Sequence, residues 1–191
     1  MSTSDSAWKS FERRTNRLMG RHGRVYGQSA KHTIRSDDTL GDAYNEVFGA
    51  ECKLRDPATK EWRSNHARQV YPKARFRHIW FSQIVKEAMV HTDKSGNLFP
   101  LHPLLFYKQK YTKYSDVLIF DYIDDPPLDS TVYSGDIIVT PRDQKSFSVE
   151  FSELIPGRIM ITYDDTNVLY WQIYKWGQYN ELLDKYLKRK E

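Results

Sequence analysis

The stretch VFGAECKLR, residues 47–55, constrains the fold of this chain more than any other. Successive side chains of a β-strand point to opposite faces. Read as a strand, the stretch puts Phe48, Ala50 and Cys52 on one face and Gly49, Glu51 and Lys53 on the other. The apolar face must anchor on a core, and the opposite face then carries a carboxylate beside an ammonium. Just upstream, Asp42–Tyr44 reads as a strand that folds back through Asn45–Glu46 and brings Asp42 to the same edge. Spacing alone leaves two readings open. The charges either keep an exposed edge strand from aggregating, or they form a site. Cys52 reads as a small core residue.

Around this strand the chain alternates helical and extended patterns. Trp8, Phe11, Thr15 and Leu18 recur at helical spacing and predict a helix from about Ser6 to Met19, stopped at Gly20. A short strand is expected at Gly23–Tyr26, and a second helix over Phe76–His91, where Trp80, Ile84, Ala88 and His91 share a stripe. PLLFYKQKY and DVLIFDYI read as strands, followed by Asp136–Thr140, Phe147–Phe151, Arg158–Tyr163 and Val168–Trp176, the last two as a hairpin. NELLDKYLKRK closes the chain as a short basic helix. DDPPLDS breaks the pattern near residues 124–130, so residues 1–123 read as a core and 124–191 as a strand-rich extension of the same globular unit.

The net charge of +4 hides a split. Residues 1–35 carry eight Lys or Arg against two acids, and residues 55–86 carry the same excess; residues 121–170 carry three against ten acids. One part of the chain is prepared for a polyanion and another is not, although solvated charged faces give the same counts. No stretch approaches the roughly 18 apolar residues of a membrane span, and the N-terminus MSTSDSAWKS has no apolar signal region. A single cysteine excludes a disulfide framework and a zinc site built mainly from thiolates. The expected compartment is therefore reducing and cytoplasmic, that of the host if the protein is viral.

Asp42, then eight residues, then Glu51-Cys52-Lys53, resembles the metal site of the PD-(D/E)XK nuclease superfamily, with Gly41 where the family usually has Pro. The helix WKSFERRTNRLMG is similar to the family's first core helix, which in several branches supplies a further Glu, here Glu12. The helix WFSQIVKEA sits where the family often bears a Gln, here Gln83. With LLFYK and DVLIFDY following, the order looks like α-β-β-β-α-β, most similar to the small Holliday junction resolvases of archaea and phages. The resemblance covers roughly residues 6–123. It implies an α/β restriction-endonuclease-like core, with a mixed central sheet flanked by helices and a C-terminal β-rich extension.

The resemblance also implies an activity: hydrolysis of DNA phosphodiester bonds by a Mg²⁺-activated water, with Mn²⁺ also accepted. Glu12, Asp42, Glu51 and Lys53 are the expected catalytic residues. Asp42, Glu51 and the backbone carbonyl of Cys52 are the expected metal ligands, and a homodimer is expected to cut branched DNA symmetrically. Arg13, Arg14, Arg17, Arg21, Arg24 and Arg35 suit backbone phosphates, with Gln83 beside them. Each has a plainer reading. Glu12 can be an ordinary helix acid pairing with Arg13 or Asn16, Gln83 can cap a helix surface, and Asp37 and Asp38 compete with Asp42. His22, His32, His66 and His78 read as solvent-facing or phosphate-contacting. FRHIWF and YTKY read as core aromatics, with base stacking as the alternative. A restriction-type or repair nuclease, and a non-catalytic basic DNA-binding protein, remain as alternative functions.

Overall fold

The computed structural model describes residues 3–20, 43–45, 47–56, 73–89, 100–110, 112–124, 137–139, 145–163 and 168–188. Helix α1 spans Thr3–Met19, and strands β1 (Ala43–Tyr44) and β2 (Phe48–Arg55) form the expected antiparallel hairpin. Strand β3 (Lys73–Arg77) leads into helix α2 (His78–Met89), and β4 (His102–Gln109) returns parallel to β2 over eight residues. Then follow β5 (Leu118–Ile123), β6 (Ile137–Val139), β7 (Ser146–Glu150), β8 (Ile159–Tyr163), β9 (Val168–Lys175) and helix α3 (Tyr179–Leu187). Seven strands make one mixed sheet in the order β1-β2-β4-β5-β9-β8-β6, while β3 and β7 pair separately. Strands from 124–191 thus continue the sheet begun by the first half of the chain. No helix among the described residues is long and apolar enough to cross a membrane.

Each face of the large sheet has its own cover. Helices α1 and α3 bury Phe11, Leu18, Tyr179 and Leu182 against Phe48, Ala50, Cys52, Leu104 and Phe106. On the opposite face, α2 and the β3–β7 ribbon bury Phe76, Trp80, Phe81, Ile84 and Phe147 against Leu105, Tyr107, Phe120 and Trp171. The aromatic residues of FRHIWF are therefore core, and so is Trp171, whose indole N–H donates to Thr162. Two expectations are corrected. The helix begins at His78 rather than Phe76, because KARFR alternates basic and apolar residues with a period of two and pairs with β7. His78 does not face solvent; it is buried with its ring 4.8 Å from that of Phe147.

Two polar staples hold the layers together. Buried Asn45 accepts from the Val47 and Phe48 N–H groups at 2.8 Å each, closing the β1–β2 turn. Its amide donates to the Met19 carbonyl and to the Tyr179 hydroxyl, tying the turn to α1 and α3. Asp121 on β5 is wholly buried. His102 Nε2 lies 2.6 Å from its Oδ1, Tyr186 donates to the same oxygen at 2.8 Å, and Lys185 donates to Oδ2 at 3.1 Å. Burial pulls the Lys185 ammonium downward, but the Asp121 charge and hydrogen bond outweigh it and hold Lys185 above the ordinary lysine value.

Removing the wholly buried Asp121 carboxylate takes the hydrogen-bond acceptor from the half-buried Lys185 and from Tyr186, so Asp121→Ala is expected to cost about 1.5–3 kcal/mol in urea denaturation. A loss below about 1 kcal/mol, the scale of a surface pair, would contradict a fastening role. Because the folded pKa of Lys185 is raised, its contribution is present below the ordinary lysine value of about 10.4 and fades as pH rises through the folded one.

Candidate active site on strand β2

The alternation read from VFGAECKLR is the one observed. Phe48, Ala50, Cys52 and Leu54 join the core under α1 and α3, which turns Gly49, Glu51, Lys53 and Arg55 toward α2. This second face is not the exposed edge of the aggregation-blocking reading. Glu51 is only 6% exposed, and Lys53 donates to its Oε1. The close approach of α2 requires a small residue at 49, since a Cβ there would stand 3.3 Å from the Ala88 Cβ. Toward the other end of β2, Trp80 of α2 fills the gap. The Arg55 guanidinium lies 4.5 Å and the Lys53 ammonium 5.9 Å from its ring centroid, within cation–π range.

Glu12 of α1 belongs to the same electrostatic cluster. Burial raises its carboxyl above the ordinary glutamate value; a hydrogen bond from Trp8 opposes this, the Glu51 charge adds to it, and Lys9 and Lys53 oppose it. Glu12 is thus half-buried on the α1 side of the sheet and within the field of the Glu51 and Lys53 charges.

Oxygen donors of this kind suit Mg²⁺ or Mn²⁺. The Cys52 carbonyl is a further oxygen of this kind. Val47 and Arg55 accept from the β4 side, through His102 and Lys110, and Phe48 accepts from Asn45 on the β1 side. Alternation turns the Cys52 carbonyl toward the β1 side, past the two residues of β2 with which β1 pairs. Among the described residues no three His, Cys, Asp or Glu side chains gather as a ligand group; the expected ligands that are described, Glu51 and the Cys52 carbonyl, are oxygen donors of the chemistry a divalent ion takes. Asp42, Asp37 and Asp38 lie outside the described residues, as do Arg21, Arg24, Arg35, His22, His32, His66 and the strand expected at Gly23–Tyr26.

The remaining expected residues fall elsewhere. Gln83 is exposed and donates to Glu87, one turn further along α2, at 2.7 Å. Arg13, Arg14 and Arg17 are exposed on α1. Arg14 stacks 4.3 Å from the Tyr114 ring centroid, and with Arg17 and Trp176 lines a shallow depression on the α1/α3 side of the sheet. Trp80 and Arg55 are the neighbours of Lys53 that the sequence reading did not single out. The parity that aligned Glu51 with Lys53 extends to Arg55 and was the available signal. No family model, no curated protein and no solved structure matches the chain.

The folded chain holds the Glu12 proton more tightly than the unfolded chain does, so stability falls as pH rises from the ordinary glutamate value through the raised one. Glu12→Gln removes that loss. In EDTA the variant is expected to melt above wild type at pH 7 and to converge with it below about pH 4. A variant that melts at or below wild type at pH 7 would remove Glu12 from the cluster.

Proposed function

We propose that this chain is a metal-dependent DNA endonuclease of the restriction-endonuclease-like type, selective for branched DNA such as a four-way junction. The observation that carries the reading is the buried Glu51–Lys53 pair with Glu12 drawn into its field from a separate helix. A protein under selection for stability alone gains little from such a cluster, because the desolvation of buried charges rivals their attraction. A carboxyl whose proton affinity is shifted by burial and by a neighbouring charge, as at Glu12, is one mark of a functional site. The arrangement around it supports the same reading: a hairpin carries the Glu-x-Lys strand, a helical crossover returns parallel to it, and an antiparallel neighbour follows.

In this proposal Asp42, Glu51 and the Cys52 carbonyl would hold Mg²⁺ or Mn²⁺. When bound, the ion supplies positive charge to the phosphate and lowers the pKa of a water. Lys53, oriented by Glu51 and kept near Trp80, positions the attacking water and offsets charge that grows on the phosphate. Glu12 retains a proton to a higher pH than an ordinary glutamate, which suits it to accept one from that water. Symmetric resolution of a junction needs two such sites, which a two-fold dimer provides.

The test incubates labelled four-way junction and matched duplex with the protein in Mg²⁺ and in EDTA, alongside Glu51→Gln and Lys53→Ala. Metal-dependent paired nicks in the junction are expected. Each substitution is expected to lower cutting at least about 100-fold while binding survives. Equal cutting of both substrates would replace junction selectivity with a general nuclease. Binding without cutting in any divalent ion would return the pair to a structural role.

A further inference from the structure

Past Lys53, the same face of β2 opens into a cleft of about 390 Å³. Its lining holds Arg55 and Asp56 from the end of β2, Arg75 and Arg77 from β3, Lys145 beside β7, and Trp80 from α2. The acid of this group is already engaged, since Asp56 pairs with Lys110 at 3.3 Å. Four cations remain. They are placed by strand parity: Ala74 and Phe76 are buried, while Arg75 and Arg77 stand exposed on the opposite face of the ribbon.

The cationic groups also disfavour one another. Burial lowers the hold of Arg55 on its proton, the Arg77 charge lowers it further, and Tyr107 and Asp56 oppose this. An incoming anion relieves such a cluster. Trp80 cannot serve as a stacking platform for a base, because it is only 4% exposed and Arg55 lies over its ring. The chemistry available to a ligand is therefore cationic and hydrogen-bond donating, suited to phosphate oxygens rather than base faces.

We infer that this cleft binds the sugar–phosphate backbone of a nucleic-acid strand, with Arg55, Arg75 and Arg77 on its phosphates and the β3–β7 ribbon as the outer wall. The part of the inference that runs the strand on to Lys53 rests on the nuclease reading; binding in the cleft does not. Side chains at 51, 53 and 55 advance by about 6.6 Å per step along one strand face, so the cleft and the charged pair form one track. Recognition is by charge and is independent of sequence. Arg13, Arg14 and Arg17, on the other side of the sheet, are not the main contacts.

The test reads metal-free binding by fluorescence anisotropy, in EDTA, over about 50–200 mM salt. The probes are duplexes of two unrelated sequences and a single strand of one of them. Arg75→Ala/Arg77→Ala is compared with Lys145→Glu, Arg13→Ala/Arg17→Ala and wild type, with folding checked by circular dichroism. The β3 double variant is expected to weaken binding of both duplexes at least about tenfold and to reduce the slope of log affinity against log salt by about 2. Lys145→Glu is expected to repeat the direction of the loss, and the single strand is expected to follow the duplexes. Unchanged affinity and slope in the cleft variants, a loss confined to one sequence, or a larger loss in the α1 pair would overturn the inference. Cutting plays no part in this readout. A protein that binds through the cleft but never cuts refutes only the nuclease, and one that cuts with unaltered binding in the cleft variants refutes only the cleft.

Discussion

A carboxylate and an ammonium can share a buried strand face only when each answers the other, and the Glu51–Lys53 pair does so on a strand buried on both sides. Much of the architecture follows from that face. Because Cys52 and its parity partners belong to the core under α1 and α3, Glu51 and Lys53 are committed to the α2 side. Gly49 lets α2 approach at one end of β2, and Trp80 fills the other end beneath Arg55. Asn45 then fixes the end of α1 to the turn before β2, which sets the helix that carries Glu12 against the strand that carries Glu51.

Among the described residues two carboxylates, Asp121 and Glu51, are buried, and their surroundings contrast. Asp121 receives Lys185 and Tyr186 from α3 and lies against His102 of β4, so its charge is matched by groups that fasten two other elements to β5. That is what a structural carboxylate needs. Glu51 is instead held by a lysine two residues away on its own strand, which fastens nothing new, and a second carboxylate raises the local negative charge. Local rules broken in this way are expected where function, not stability, has set the sequence.

What could be read from the sequence followed from period and parity. The two faces of β2 and the strands at 146–150 and 168–175 announce themselves by local alternation, and those at 137–139 and 159–163 by short runs of β-branched and apolar residues. The start of α2 did not, because Phe76 fits the apolar stripe of the following helix as well as it fits a strand. Only pairing with the distant β7 decides between them. The separation of β3 and β7 into a ribbon of their own, and the continuation of the large sheet from β5 to β9, are equally non-local. In the site, Glu51 and Lys53 were legible from parity, while Glu12 was reached through the family resemblance. Its link to Glu51 depends on how α1 crosses the sheet, which no local pattern encodes. The basic excess of residues 55–86 was visible as a count, but the convergence of Arg55, Arg75 and Arg77 on one cleft required the β3–β7 pairing.

The most direct test of the central claim is calorimetric titration of Mn²⁺ and Mg²⁺ into the metal-free protein and into Glu51→Gln, without nucleic acid. The account requires a saturable divalent site in the wild-type chain that Glu51→Gln weakens at least about tenfold, the scale of about 1.4 kcal/mol. The same weak heats in both proteins would contradict it, leaving the Glu51–Lys53 pair as packing with charge.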